Sequence, residues 1–237
     1  MFGSLIKKHW ATELGKKPED IYVVSIMPCT AKKYEANQPK FATDGVKDVD
    51  LVLTTQELAR MIREAGLVFD ALDIESFDTP FGFTSGAGVI FGATGGVAEA
   101  VLRAAHEFVT GEPIEQINFE EVRGFDSLKE ATVEIQGNEI KVAVVHGLGN
   151  AKKLLKDIKE GKAQYHIIEV MACPGGCIGG AGQPISVNME DKKKRAKGIY
   201  NADKLSQLRK SQDNPVVTRF YEKWLEKPNS ETAHESL

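Results

Sequence analysis

Glycine and cysteine crowd into one stretch of this chain, and that stretch restricts the fold most. Residues 169–184 read EVMACPGGCIGGAGQP and hold Cys173 and Cys177, two of the three cysteines in the sequence. Gly175, Gly176, Gly179, Gly180 and Gly182 surround them, and an apolar run, residues 167–171, leads straight in. Glycine has no Cβ, so such a cluster lets backbone approach a bulky group closely and turn N–H donors toward it. Thiolates with exposed backbone donors form the ligand set of an iron–sulfur cluster. The plainer alternatives are a flexible loop with two unrelated cysteines or a tetrahedral zinc site. CPGGC departs from zinc-ribbon spacing.

The third cysteine closes a second apolar segment. Residues 23–33 read VVSIMPCTAKK. Pro28 cannot donate to a ladder and holds Met27 extended, so a strand is expected to end there. Cys29 then sits at a strand tip, where open α/β sheets place their chemistry. A lone cysteine after a strand is ordinarily just buried. Here Lys32 and Lys33 follow, and a nearby ammonium lowers a thiol's pKa and can hold an anion.

MPCTAKKYEA and EVMACPGGCIGGAGQP resemble the second and third signature motifs of the iron-only (FeFe) hydrogenase catalytic domain. The stretches DVDLVLTTQELARMIREAG and SGAGVIFGATGGVAEAVLRAA and the tail AHESL are similar to that family too, so the resemblance covers nearly the whole chain. It implies that Cys29, Cys173 and Cys177 bind a 4Fe–4S cubane, and that Cys177 bridges it to a two-iron subcluster carrying CO, cyanide and a dithiolate. Lys32 would hydrogen-bond an iron-bound cyanide, against the alternative of a surface lysine. Met27 and Met171, each two residues before a ligand cysteine, would wall the two-iron site with soft side chains, and Phe91 would pack there as well. Ordinary core packing is the alternative for all three. The implied reaction is reversible oxidation of H2 to protons and electrons, exchanged with ferredoxin or NAD(P)-linked subunits. A non-catalytic iron–sulfur protein of the same superfamily is the other functional reading. Lys32 and the methionine pair favour the hydrogenase.

The resemblance also implies a fragment. The family's first signature, of the form TSCCPxW, lies upstream of the segment resembling Phe2-Gly3 and carries one cubane ligand and a proton-relaying cysteine. Three cysteines cannot supply four thiolates. The expectation is one catalytic domain over residues 1–237, truncated at the N-terminus and slightly at the C-terminus. Its partner would be the missing segment, and the chain would be inactive alone.

Composition excludes other classes. Net charge is −4, so neither nucleic acid nor an anionic membrane is indicated as a partner. The sequence has no run of eighteen apolar residues and no signal-peptide pattern, so a soluble, unexported, cytoplasmic protein is expected, and the resemblance implies anaerobic hydrogen metabolism. His9, His106, His146, His166 and His234 show no ligand spacing. Ser85-Gly86 and Gly95-Gly96 fit no phosphate-loop pattern. Glu169 reads as either an acceptor behind the motif or a structural residue.

The expected fold class is α/β: a two-lobed iron hydrogenase-like domain. Mixed, partly parallel sheets are flanked by helices, and the metal site lies in the cleft. Helices are expected over 2–14, 55–65 (capped by Thr55), 88–109 (buried all round), 149–160 and along a charged tail, 191–225. Strands are expected over 21–27, 51–54, 118–123, 131–136, 139–146 and 164–171, with a loop over 70–85 that includes Pro80. Gln136-Gly137-Asn138 signals a hairpin, which makes that pair antiparallel.

Overall fold

The computed structural model describes residues 1–79, 81–114, 117–185 and 188–236. Pro80 of the expected loop lies outside them. The chain divides into two compact units, neither continuous in sequence. Unit 1 takes Met1–Phe81, Ala181–Ile185 and Pro215–Leu237; unit 2 takes Gly82–Gly180 and Ser186–Asn214.

The first part of unit 1 opens with α1 (Phe2–Leu5), a wider turn at Ile6–Trp10 and α2 (Ala11–Glu13), which run on as one helical stretch. Leu5 and Ala11 are buried on its inner side, and so is Lys7. The Lys7 ammonium pairs with Asp50 at 2.9 Å, and Asp50 also accepts from Val23 N–H at 2.7 Å. That shared carboxylate pins the helix to the start of β1 (Val24–Met27). After α3 (Ala31–Glu35), β2 (Ala42–Thr43) and β3 (Val46–Lys47) form a short hairpin. Its turn uses Asp44 and Gly45 at positive φ. β4 (Leu51–Thr54) pairs with β1 in parallel, Val24 opposite Leu51 and Met27 opposite Thr54. α4 (Thr55–Glu64) follows directly. Its cap is Thr54, not Thr55. Thr54 is still extended, so its hydroxyl reaches Glu57 N–H at 3.1 Å while the Glu57 carboxylate accepts from Thr54 N–H at 2.8 Å.

Unit 2 breaks the helix expected over 88–109 in two: α5 (Gly86–Ile90) and α6 (Gly96–Thr110). Gly95 has φ 95°, and a Cβ on it would strike Val122 O; one on Gly96 would strike Ile90 O. Only glycine tolerates that reversal, so the pair marks a turn in place of helix interior. The strand expected over 118–123 is also absent. Glu120–Val122 is a single helical turn, and the N–H groups of Val122 and Arg123 bond back locally to Phe119 O and Glu120 O. β5 (Leu128–Ile135) and β6 (Asn138–His146) form the expected antiparallel hairpin, with Gln136 and Gly137 at positive φ. α7 (Leu148–Lys159) leads to β7 (Ile167–Met171), which pairs in parallel with β6. The sheet order is β5-β6-β7.

α8 (Met189–Leu205) ends well before the expected helical tail does. Ser206 turns extended, and Pro215 disfavours helix in the residue before it. The chain then returns to unit 1 as α9 (Pro215–Phe220), a turn at Tyr221–Leu225 and α10 (Glu231–Ser236). There Leu5, Leu225 and Ala233 form a small core beside Phe220 and Trp224.

The larger core belongs to unit 2. Val142 and Val144 of β6 pack with Ala98 and Leu102 of α6, while Ala143 and Val145 on the opposite face pack under α7. α6 is tied to α8 by a buried ion cluster. Arg103 donates to Glu99 at 2.7 Å and to both oxygens of Asp203 at 2.8 and 2.9 Å, and Arg123 closes on Glu99 at 2.6 Å. Each buried charge meets a partner, which such burial requires.

Candidate functional site

In unit 2 the chain leaves β7 at Met171 and enters the cysteine loop. Gly175 and Gly176 take φ 86° and 88°. A Cβ on Gly176 would lie 2.6 Å from Thr94 N, so the loop lies flush against the α5–α6 turn. Two hydrogen bonds seat it there: Thr94 N–H to Gly175 O at 3.1 Å and Ile178 N–H to Gly92 O at 2.9 Å. Phe125 packs under Gly175, and Arg195 of α8 donates to Ile178 O at 3.0 Å. Ile178 is buried, while Cys177 is exposed and Cys173 half-buried. Backbone thus fills the inner side of the loop, and Cys177 lies on its exposed side.

In unit 1 Cys29 follows β1 directly and is half-buried. The segment that continues from the cysteine loop, Ala181–Ile185, belongs to this unit. Gly182 N–H donates to Pro28 O at 3.1 Å, and a Cβ there would lie 2.9 Å from Cys29 N. Gly182 O in turn accepts from Gln56 N–H at 2.9 Å, at the start of α4. The GGAGQP glycine therefore allows close backbone approach to the Cys29 strand tip.

None of the three cysteines is in a disulfide. Among the described residues, no three His, Cys, Asp or Glu side chains form a ready-made site for one metal ion. Soft thiolates on glycine-relieved backbone are the donor chemistry of an iron–sulfur cluster.

Met27 and Lys32 line one cavity of about 510 Å³ in unit 1, together with Phe2, Ile6, Glu35 and Val49. The Lys32 ammonium bonds Glu35 at 2.6 Å, and its side chain is 42% exposed. Its neighbour Lys33 is held more firmly, donating to Val52 O and Glu57 at 3.0 Å each. Met171 ends β7 opposite His146 and is half-buried. Phe91 departs from its expected place in a helix buried all round: it sits at the α5–α6 break, 44% exposed.

Sequence reasoning left Glu169 undecided and missed Lys129. Glu169 accepts from Gly95 N–H at 2.6 Å and Ala98 N–H at 2.8 Å, capping α6. Lys129 is buried and donates to Thr94 O and Gly124 O at 3.1 and 3.0 Å. A lysine in an alternating strand reads as solvent-facing, and only its neighbours show otherwise.

Comparison with known proteins identifies the family. The family described as "Iron only hydrogenase large subunit, C-terminal domain" matches residues 1–181, and "Iron hydrogenase small subunit" matches residues 189–237. The NADP-reducing hydrogenase subunit HndD of Solidesulfovibrio fructosivorans is 49% identical across the whole chain, which spans 40% of its length. The structure of an apo FeFe-hydrogenase HydA1 variant from Chlamydomonas reinhardtii superposes with a TM-score of 0.83 at 38% identity, covering 100% of this chain and 66% of that one. A Xenopus tropicalis protein named cytosolic Fe-S cluster assembly factor narfl is 34% identical over the whole chain, which spans 51% of it.

Proposed function

We propose a function from the premise that this chain belongs to the iron-only hydrogenase family. Cys29, Cys173 and Cys177 hold a 4Fe–4S cubane, and Cys177 also carries a two-iron subcluster with CO, cyanide and dithiolate ligands. Bound there, the cluster supplies reversible H2 oxidation. The observation that carries this reading is the cysteine loop. Gly175 and Gly176 bend it flush onto Thr94, and neither of its cysteines is in a disulfide.

The protein's own groups complete the site. Met27 and Met171 present apolar, polarisable walls. Lys32 offers an ammonium to an anionic iron ligand once released from Glu35, an exposed pair that costs little to open. Phe91, already outward, packs on the bound group. Electrons pass to ferredoxin or an NAD(P)-linked subunit in the cytoplasm. A cubane takes four thiolates, and these cysteines would supply three of them.

The identity to an assembly factor supports a second reading, a cubane protein without hydrogen chemistry. Anaerobic expression with the cofactor-maturation machinery tests both. The chain is produced alone and with the remaining span of a hydrogenase relative, then assayed for iron content and for hydrogen evolution from reduced viologen. Iron with turnover only in the paired form is expected. Iron without turnover in either form supports the assembly-factor reading, and no iron in either form overturns both. Lys32→Ala in the paired form should abolish turnover and leave the cubane's electronic spectrum intact.

A further inference from the structure

The sheet register places Lys129 of β5, Val144 of β6 and Glu169 of β7 in one row. Side chains in a row share a face, so the lysine and the glutamate flank the fully buried Val144. Both are themselves buried, at 8% and 7% exposure. They act on a single peptide unit. The Glu169 carboxylate accepts from the N–H of Gly95, and the Lys129 ammonium donates to the C=O of Thr94. These are the two polar ends of the Thr94–Gly95 peptide.

That peptide is the support of the cysteine loop. The preceding N–H, on Thr94, donates to Gly175 O, and Gly92 accepts from Ile178. The second acceptor of Lys129 is Gly124 O, next to the Phe125 ring that underlies Gly175. One buried cation therefore joins both surfaces on which the loop rests.

We propose that Lys129 and Glu169 are positioning residues: an ion clamp on the Thr94–Gly95 peptide that presets the Cys173–Cys177 loop for its cluster and places a fixed positive charge behind it. This rests on the cluster reading above. Burial pushes the Lys129 ammonium down to about 8, against the attraction of Glu169 and Asp126, so the lysine stays mainly charged at neutral pH. A preset loop avoids an ordering cost at binding. A cation fixed behind the loop that holds an anionic cluster would favour its reduced form.

The test uses the full chain with Lys129→Met, Lys129→Arg and Glu169→Gln. In iron-free protein, amide exchange is followed at Thr94 and Ile178, with Val142 and Val144 reporting the fold. Lys129→Met should speed exchange at Thr94 and Ile178 by about tenfold or more and leave the β6 amides unchanged; Lys129→Arg should restore part of the protection. After anaerobic reconstitution with ferrous iron and sulfide, Lys129→Met should retain less iron and show a more negative cluster potential. Wild-type exchange together with wild-type iron retention and potential in Lys129→Met overturns the clamp. If Lys129→Met loses β6 protection, Lys129→Arg and Glu169→Gln decide. Unchanged exchange and potential in both overturn it equally. A wild-type chain that takes up no iron counts against the cluster reading, and the exchange comparison still decides the clamp.

Discussion

The two units hold their cysteines by different means. In unit 2 the central strand β6 is covered on both faces, Val142 to Val145 having no exposed surface, and the cysteine loop rests on that core through Thr94 and Phe125. In unit 1 Cys29 ends a two-stranded parallel ribbon on which Val24 is 45% and Ile26 51% exposed. Parallel strands depend on cover over both faces, so β1 is held mainly by its edges: Asp50 at one end and Gly182 at the other. Loop geometry in unit 2 is thus a property of packing, whereas the strand tip in unit 1 is set by a few polar contacts. Amide exchange should show it directly, slow along β6 and fast along β1.

The largest effect should come from the buried ions of unit 2. Asp203→Ala leaves Arg103 without its main partner and should cost about 3–5 kcal/mol in urea unfolding. Its counterpart in unit 1, Glu35→Ala, breaks a half-exposed pair with Lys32 and should cost under about 1 kcal/mol. Equal losses would erase the contrast. Next come the strands. Val144→Ala should cost about 2 kcal/mol by opening a cavity, and Ile26→Ala under about 1 kcal/mol. A larger loss at Ile26 would mean that its face is covered in solution.

The polar contacts of unit 1 come third. Thr54→Ala removes the α4 cap and should cost about 1 kcal/mol. The effects of pH come last, and the units respond at opposite ends of the scale. Glu57, held at about 2 by Lys33 and by the Thr54 backbone and hydroxyl, has a folded value below the ordinary ~4.3. Its contribution is therefore complete above that ordinary value and lost as pH falls through about 2. Lys129, pushed down to about 8 by burial, lies below the ordinary ~10.4. Between those values the unfolded chain binds more protons, so this group adds stability as pH rises from about 8, and its contribution is lost as pH falls back through it. Urea unfolding at pH 7 and pH 9.5 should show an alkaline gain in the native chain that Lys129→Met lacks.

Elements with a local signature were readable in the residues. The hairpin at Gln136-Gly137 needs positive φ, the alternation of β5 is regular, and α7 lies one residue from expectation at each end. The errors fell where a distant contact overrides local preference. Small apolar residues through 88–109 favour a continuous helix, yet Gly95 and Gly96 lie against Val122 O and Ile90 O and turn the chain. Residues 118–123 have strand composition, but Phe119 and Val122 are drawn into the β6 core and Arg123 to Glu99, which closes a helical turn. At the candidate site the thiols and glycines were visible, because CPGGC and MPC are local strings. Phe91 was misplaced with the helix that broke beneath it.

Residue order alone determined where sulfur could gather: cysteines after two apolar strands, with glycines wherever backbone must come close. That follows from covalent chemistry, since a missing Cβ or a thiol belongs to the residue whatever surrounds it. Tertiary structure alone decided which charges are buried. Lys129, Glu169, Arg103 and Asp203 look like ordinary surface residues in the string, and each is enclosed because a partner from a distant segment meets it. The energy of a buried charge depends on that partner, and the partner is chosen only when the chain folds.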